Sequence, residues 1–214
     1  NGAYLVPYAG GHALRLGAGF PVAISPSSTR VAANVNEADH LVVYSTTSAE
    51  TPRIQTPAFV SYGRWIDETA LYVLSHDKEI WRIAIGAAPV RILDNAGRFT
   101  LDAKHERIAF IDPDGVLKVW ANGAVTVLGK LGRMIEVCGW LASPDALVVR
   151  TTTTPMQLER IDPVTGARSP HMTIQPPLTG LKAVDTLVLH PDGVRYAYSY
   201  GQEISQLFLM TGAG

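Results

Sequence analysis

The chain is 214 residues long, 47% hydrophobic and 17% charged, with 18 Lys plus Arg against 19 Asp plus Glu. That length can bury the core of one large β domain or two small ones, and the near-neutral, dispersed charge excludes the basic stripe of a nucleic-acid-binding surface and strong attraction to an anionic membrane. One cysteine, Cys138, excludes an intrachain disulfide, and no apolar run reaches the roughly 20 residues that a membrane helix requires.

Residues 1–17 read as a hairpin, with strands Ala3–Tyr8 and His12–Leu16 around a turn at Ala9-Gly10-Gly11, because paired glycines supply the positive φ angles of tight turns. Four-strand units follow. The first carries Phe20–Ile24, Arg30–Asn34, His40–Tyr44 and Arg53–Gln55; the second carries Ala58–Trp65, Ala70–Leu74, Glu79–Ile85 and Val90–Leu93. The third spans Arg98–Leu128, joins Ile108–Ile111 to Val116–Trp120 through Asp112-Pro113-Asp114-Gly115, and turns its last hairpin at Asn122-Gly123. The fourth uses Ile135–Leu141, Ala146–Arg150, Met156–Ile161 and Met172–Ile174, and the fifth shows Thr186–Leu189, Tyr196–Tyr200 and Gln206–Met210. The chain begins at Asn1 within a strand pattern, without Met or a secretory leader, and is expected to be a processed or excised piece of something longer.

Two registers test the repeat. Second-strand positions Val31, Leu71, Ile108, Leu147 and Tyr196 are separated by 40, 37, 39 and 49 residues. Third-strand positions Tyr4, Leu41, Ile80, Leu117, Leu158 and Leu207 are separated by 37, 39, 37, 41 and 49. The long last interval holds Pro170, Pro176, Pro177 and Gly180 and reads as a loop insertion. No segment has a sustained 3.6-residue apolar stripe with caps, whereas short alternating β-branched and aromatic runs recur throughout. The fold class is therefore all-β, and four strands in each period of about 40 residues indicate β-propeller blades. The expected organisation is one propeller domain or fragment. It has third and fourth strands of a blade in 1–17 and blades at about 18–56, 57–95, 96–131, 132–177 and 178–214.

His190-Pro191-Asp192-Gly193-Val194-Arg195-Tyr196-Ala197-Tyr198 and Arg107-Ile108-Ala109-Phe110 resemble the blades of TolB-like, WD-repeat-like propellers, in which a Ser-Pro-Asp-Gly turn precedes a basic residue and an aliphatic-Ala-aromatic strand. Ser25–Ala33 and Ser143–Val149 lack parts of that turn. The tail, Tyr196–Tyr200 followed by Ile204–Met210, resembles the C-terminal end of propellers attached to some bacterial serine/threonine protein kinases. This resemblance implies an architecture rather than a reaction. The kinase motifs His-Arg-Asp, Asp-Phe-Gly and a complete Gly-rich loop do not occur in the chain, and Leu16-Gly17-Ala18-Gly19-Phe20 reads as a loop between strands.

Candidate chemistry is sparse. Asp112-Pro113-Asp114-Gly115 has half the oxygens of a Ca²⁺ loop and reads as a hairpin turn. The six histidines, His12, His40, His76, His105, His171 and His190, form no zinc pattern. Ser61, Ser143 and Ser199 lie outside any Gly-x-Ser-x-Gly elbow, Cys138 reads as a buried thiol, and Trp65, Trp81, Trp120 and Trp140 read as packing between blades. No catalytic residue, metal ligand or cofactor is assigned. Binding is expected on loops between second and third strands, which repeated connectivity places on one face: Asn36, Glu37 and Asp39; His76 and Asp77; Asp112 and Asp114; Thr152 and Thr153; Gln202 and Glu203. Such a polar rim suits a protein or peptide partner.

The leading expectation is thus a non-catalytic module for protein or peptide interaction or ligand sensing, the C-terminal part of a larger bacterial protein such as a serine/threonine kinase. Alternatives are a free-standing TolB-like periplasmic scaffold and the substrate-gating propeller of a serine peptidase. In a closed ring, His12–Leu16 completes the last blade beside Gln206–Met210. In an open arc of a six- or seven-bladed ring, the exposed edges favour self-association.

Overall fold

In each repeat the second strand is apolar at nearly every position rather than at alternate ones, and the tertiary structure shows why. A computed structural model describes residues 2–6, 11–35, 39–132, 134–177 and 179–203. Every regular element among them is a β-strand. The chain forms two compact units, residues 1–133 and 134–214.

In the first unit, β1 (Gly2–Leu5) pairs antiparallel with β2 (Leu14–Ala18), ending at Leu5 opposite Leu14. Three four-stranded meanders follow: β3 (Phe20–Ile24), β4 (Arg30–Asn34), β5 (His40–Ser45) and β6 (Arg53–Gln55); then β7 (Val60–Trp65), β8 (Ala70–Ser75), β9 (Ile80–Ala84) and β10 (Val90–Leu93). The third is β11 (Phe99–Leu101), β12 (Arg107–Ile111), β13 (Val116–Ala121) and β14 (Ala124–Lys130). Successive side chains of a strand point to opposite faces. Leu71 and Val73 of β8 accordingly join a core with Ala32, Leu41 and Val43 of the preceding blade. Tyr72 and Leu74 join Phe99, Ile108 and Phe110 of the following one. The second strand β8 therefore has no solvent face and reads as apolar on both, whereas the third strand β9 keeps an exposed position at Arg82.

The turns use local polar chemistry. Asp67 Oδ1 accepts from the Thr69 and Ala70 amides, and Asp102 Oδ1 from those of Glu106 and Arg107. Asn122 and Gly123 both take positive φ, 51° and 83°, which is the tight hairpin turn expected for Asn-Gly between β13 and β14. Neighbouring blades approach closely at Gly63, where an added Cβ would stand 3.0 Å from Cγ1 of Val22.

In the second unit, β15 (Ile135–Ala142), β16 (Asp145–Thr151), β17 (Met156–Ile161) and β18 (Arg168–Ile174) form a fourth blade, and β19 (Leu181–Leu189) pairs with β20 (Tyr196–Gln202). Cys138, Val148, Met156 and Leu158 pack with Leu187 and Leu189. The all-β propeller architecture expected from the repeat is the one observed, with four blades complete and the fifth represented by its first two strands. The third strand expected at Gln206–Met210, the ring closure drawn through it and the Ala9-Gly10 part of the first turn lie outside the described residues.

The long last interval agrees with expectation in part. The connections 162–167, 175–180 and 190–195 are each longer than their counterparts around β14 and β15, and 175–180 holds Pro176, Pro177 and Gly180, but Pro170 lies within β18 rather than in a loop. Proline is tolerated because β18 is the outer edge strand, where an amide can be missing without breaking the ladder. A bulge between Leu158 and Glu159 of β17 accommodates it opposite Glu159.

Candidate functional site

The loops between second and third strands are fixed by their backbones. In the first unit a main-chain carbonyl of each loop accepts from the linker leaving the same blade. Thr56 N donates to Asp39 O at 2.7 Å, Ala96 N to Lys78 O at 2.7 Å, and Leu131 N to Gly115 O at 2.8 Å. A second tie recurs at the strand that opens a blade. His76 N donates to Phe59 O at 2.9 Å, and in the second unit Thr152 N donates to Met134 O at 2.9 Å and Glu203 N to Gly180 O at 2.8 Å. These ties hold loop backbone against sheet, so each side chain is presented from a fixed base.

Asp39 projects with 82% of its side chain exposed. Its carboxyl is held below the usual range by the hydrogen bond with His40, which outweighs a small desolvation. His76 and Asp77 are exposed in the turn that Lys78, at φ 64°, closes onto Ser75. Asp114 is exposed beside Asp112, which is not. Asp112 Oδ1 accepts from the Asp114 and Val116 amides, and Oδ2 lies 2.7 Å from Lys118 Nζ. Burial alone would raise the Asp112 pKa, yet Lys118 and those amides lower it. Both Asp112 oxygens are consumed by the turn, so the Asp-Pro-Asp-Gly stretch is a hairpin and Asp112 a structural member of it.

In the second unit, Thr152 donates its hydroxyl to Met134 O, Thr153 is exposed, Gln202 donates to Thr179 O at 2.7 Å, and Glu203 lies 3.3 Å from Lys182 Nζ. Asn36 and Glu37 lie outside the described residues. Asp39, His76, Asp77 and Asp114 thus lie at corresponding loops of successive blades in one unit, and Thr152 and Thr153 at the corresponding loop in the other; the loop expected from Tyr200 begins later, since Gln202 still ends β20 and Glu203 directly follows it.

Other candidates are engaged structurally. Cys138 is 4% exposed and burial pushes its thiol up to about 12. Trp65 is buried in the core between the first two complete blades, and Trp81 packs against it from the margin. Cavities also lie away from these loops. One of about 180 Å³ is lined by Thr29, Arg30, Ser45, Thr47, Ser48 and Glu50 among others. One of about 430 Å³ is lined by residues 157–159 and 170–173. Among the described residues no group of three or more His, Cys, Asp or Glu is placed to hold a metal ion. The main-chain ties escape sequence reasoning, because a backbone amide carries no residue-type signal.

No model of a known protein family matches the chain, and no curated protein matches it. Solved structures do. The β-propeller domain of Cps50 (Swd1) from Myceliophteria thermophila superposes with a TM-score of 0.62 at 8% identity, over 89% of this chain and 68% of that one. TolB from Acinetobacter baumannii gives 0.56 at 17% identity, over 81% and 49%. A puromycin-hydrolyzing peptidase from Mycobacterium tuberculosis gives 0.56 at 18%, over 88% and 35%. These likenesses define the class as a β-propeller module, in agreement with the TolB-like and WD-repeat-like turn motifs. The chain spans about half of the TolB chain and about a third of the peptidase chain.

Proposed function

We propose that the chain is a non-catalytic propeller module that holds a protein or peptide partner on its second-to-third-strand loops, with Asp39, His76, Asp77 and Asp114 as the principal set and Thr152, Thr153, Gln202 and Glu203 as a second. The observation that carries this reading is the pairing of fixed backbone with exposed side chain. In successive blades the linker ties the loop down while Asp39, Asp77 and Asp114 project into solvent. Rigid presentation lowers the ordering cost of binding. Three exposed carboxylates favour a partner segment carrying Lys or Arg. Support for a non-catalytic role comes from the engagement of the reactive groups: Cys138 is buried and protonated, while Asp67, Asp102 and Asp112 cap turns.

As to its setting, we place the module at the C-terminal end of a larger bacterial protein such as a serine/threonine kinase, on the strength of the Tyr196–Tyr200 pattern. The likeness to the peptidase favours a second reading, in which the propeller adjoins a hydrolase domain of the same polypeptide.

The test is selection of peptides from a random library on the full chain, followed by affinity measurement on an Asp39→Asn/Asp77→Asn/Asp114→Asn variant. Enrichment of basic peptides whose Kd rises at least about ten-fold in the variant, a loss of about 1.4 kcal/mol, with an unchanged urea midpoint, is the expected result. Selected peptides that bind the variant equally well would refute the assignment of these loops.

A further inference from the structure

Several arginines of this fold are paired with carboxylates. Arg91, Arg107, Arg150 and Arg195 each place a guanidinium nitrogen within 3.0 Å of a carboxylate oxygen, on Glu79, Asp102, Glu136 and Asp192 respectively. Arg64 and Arg98 depart from this pattern. Neither has an ion-pair partner among the described residues, yet both converge on the ring of Tyr62, with guanidinium carbons 5.2 Å and 5.6 Å from its centroid.

The sheet dictates the convergence. Tyr62 and Arg64 are two residues apart on β7 and share a face. Their cross-strand partners, Leu74 and Tyr72, pack toward the next blade. Arg98 immediately precedes β11, the first strand of that blade. The Tyr62 ring is itself fixed, edge-to-face on buried Phe99 at 5.3 Å and 84°. Arg98 is exposed and Arg64 half-buried, so the junction is open to solvent. Two like charges held around one ring repel each other, and a cation–π contact offsets only about 0.5–1 kcal/mol at an exposed site. The two guanidinium carbons lie within about 11 Å of each other, so a ligand bearing several anionic oxygens offsets the repulsion and offers acceptors to the planar donor forks.

We propose that Arg64, Arg98 and Tyr62 form an oxyanion-binding site at the first-strand junction of the second and third complete blades, taking a phosphate group or paired carboxylates. The site is independent of the loop reading above, because it uses none of those residues.

The experiment is calorimetric titration of the full chain with inorganic phosphate and, separately, with succinate, at constant ionic strength, on wild type and on Arg64→Gln, Arg98→Gln and Arg98→Lys. Saturable binding of at least one probe is expected, with Kd raised about ten-fold or more in either Gln variant and less in Arg98→Lys, which keeps the charge. Urea midpoints of the Gln variants should equal or exceed wild type, because each substitution removes one of two repelling charges. Saturation by phosphate alone assigns the site to phosphate groups, and saturation by succinate alone to carboxylates. No saturable heat with either probe, binding unchanged in both Gln variants, or lowered midpoints indicating that the arginines are structural props would overturn the proposal.

Discussion

Substituting Leu71 by Ala tests the two-faced middle strand directly. Leu71 is 0% exposed, pairs across β7 with Trp65 and across β9 with Ile83, and packs with Leu41 and Val43 of the preceding blade. Hydrogen-bonded ladders on both sides hold its backbone, so the site collapses poorly when the side chain shrinks. The cost should fall in the upper part of the range for buried Leu→Ala, about 3–5 kcal/mol. Val125→Ala on the outer strand, where Val125 is 46% exposed, should cost under about 1 kcal/mol. Urea denaturation followed by tryptophan fluorescence reads both. The faces can be separated by adding a second, milder substitution. Ile83→Val acts on the same face as Leu71, while Ile80→Val acts on the opposite face about 10 Å along the sheet at about 3.3 Å per residue. Combined with Leu71→Ala, the first should deviate from additivity by about 0.5 kcal/mol or more and the second should add within about 0.5 kcal/mol. A Leu71→Ala loss below about 1 kcal/mol, or coupling to Ile80 as strong as to Ile83, would refute burial on two separate faces.

Two further outcomes follow from the second unit. Cys138, with its thiol pushed up to about 12 by burial, should resist maleimide labelling in the native chain at mildly alkaline pH and react fully in concentrated urea, as mass spectrometry would show; rapid native labelling would contradict the burial. His171 has its pKa lowered, first by burial and then by the Arg160 cation, whose Nε donates to His171 Nδ1 at 3.0 Å, against a smaller opposing effect from the Gly193 backbone. The unfolded chain therefore takes up this proton first. Stability from His171 is fully present above about pH 6.5 and declines as pH falls through the lowered folded value. Urea midpoints between about pH 7.5 and pH 5 should drop less in His171→Gln than in wild type, and equal drops would show that other groups carry the dependence.

Much of the architecture was legible in sequence because its determinants are local. β3, β4, β6, β10 and β17 occupy the stretches that alternation and turn residues mark out, since strand period and turn chemistry act over two to five residues. The alternation expected along the strands was not what the second strands show: β4, β8 and β12 are buried on both faces, because a neighbouring blade can cover each side of a sheet. The extension of β18 through Pro170 was not legible either, because proline breaks a strand only where its missing amide has a partner, and that depends on whether the strand is an edge.

For the candidate sites the division is sharper. Residue type and repeat register sufficed to point at Asp39, His76, Asp77 and Asp114 on corresponding loops. Only the tertiary structure separated Asp114, exposed, from Asp112, whose carboxylate the turn and Lys118 consume. Only it showed the amides of Thr56, Ala96 and Leu131 holding the loops down. The sequence by itself determined a chain of β blades and which loops correspond. The meeting of Arg64 and Arg98 on Tyr62, across two blades, was decided by packing, because strand alternation sets the face on which a side chain stands but not what the neighbouring blade brings to meet it.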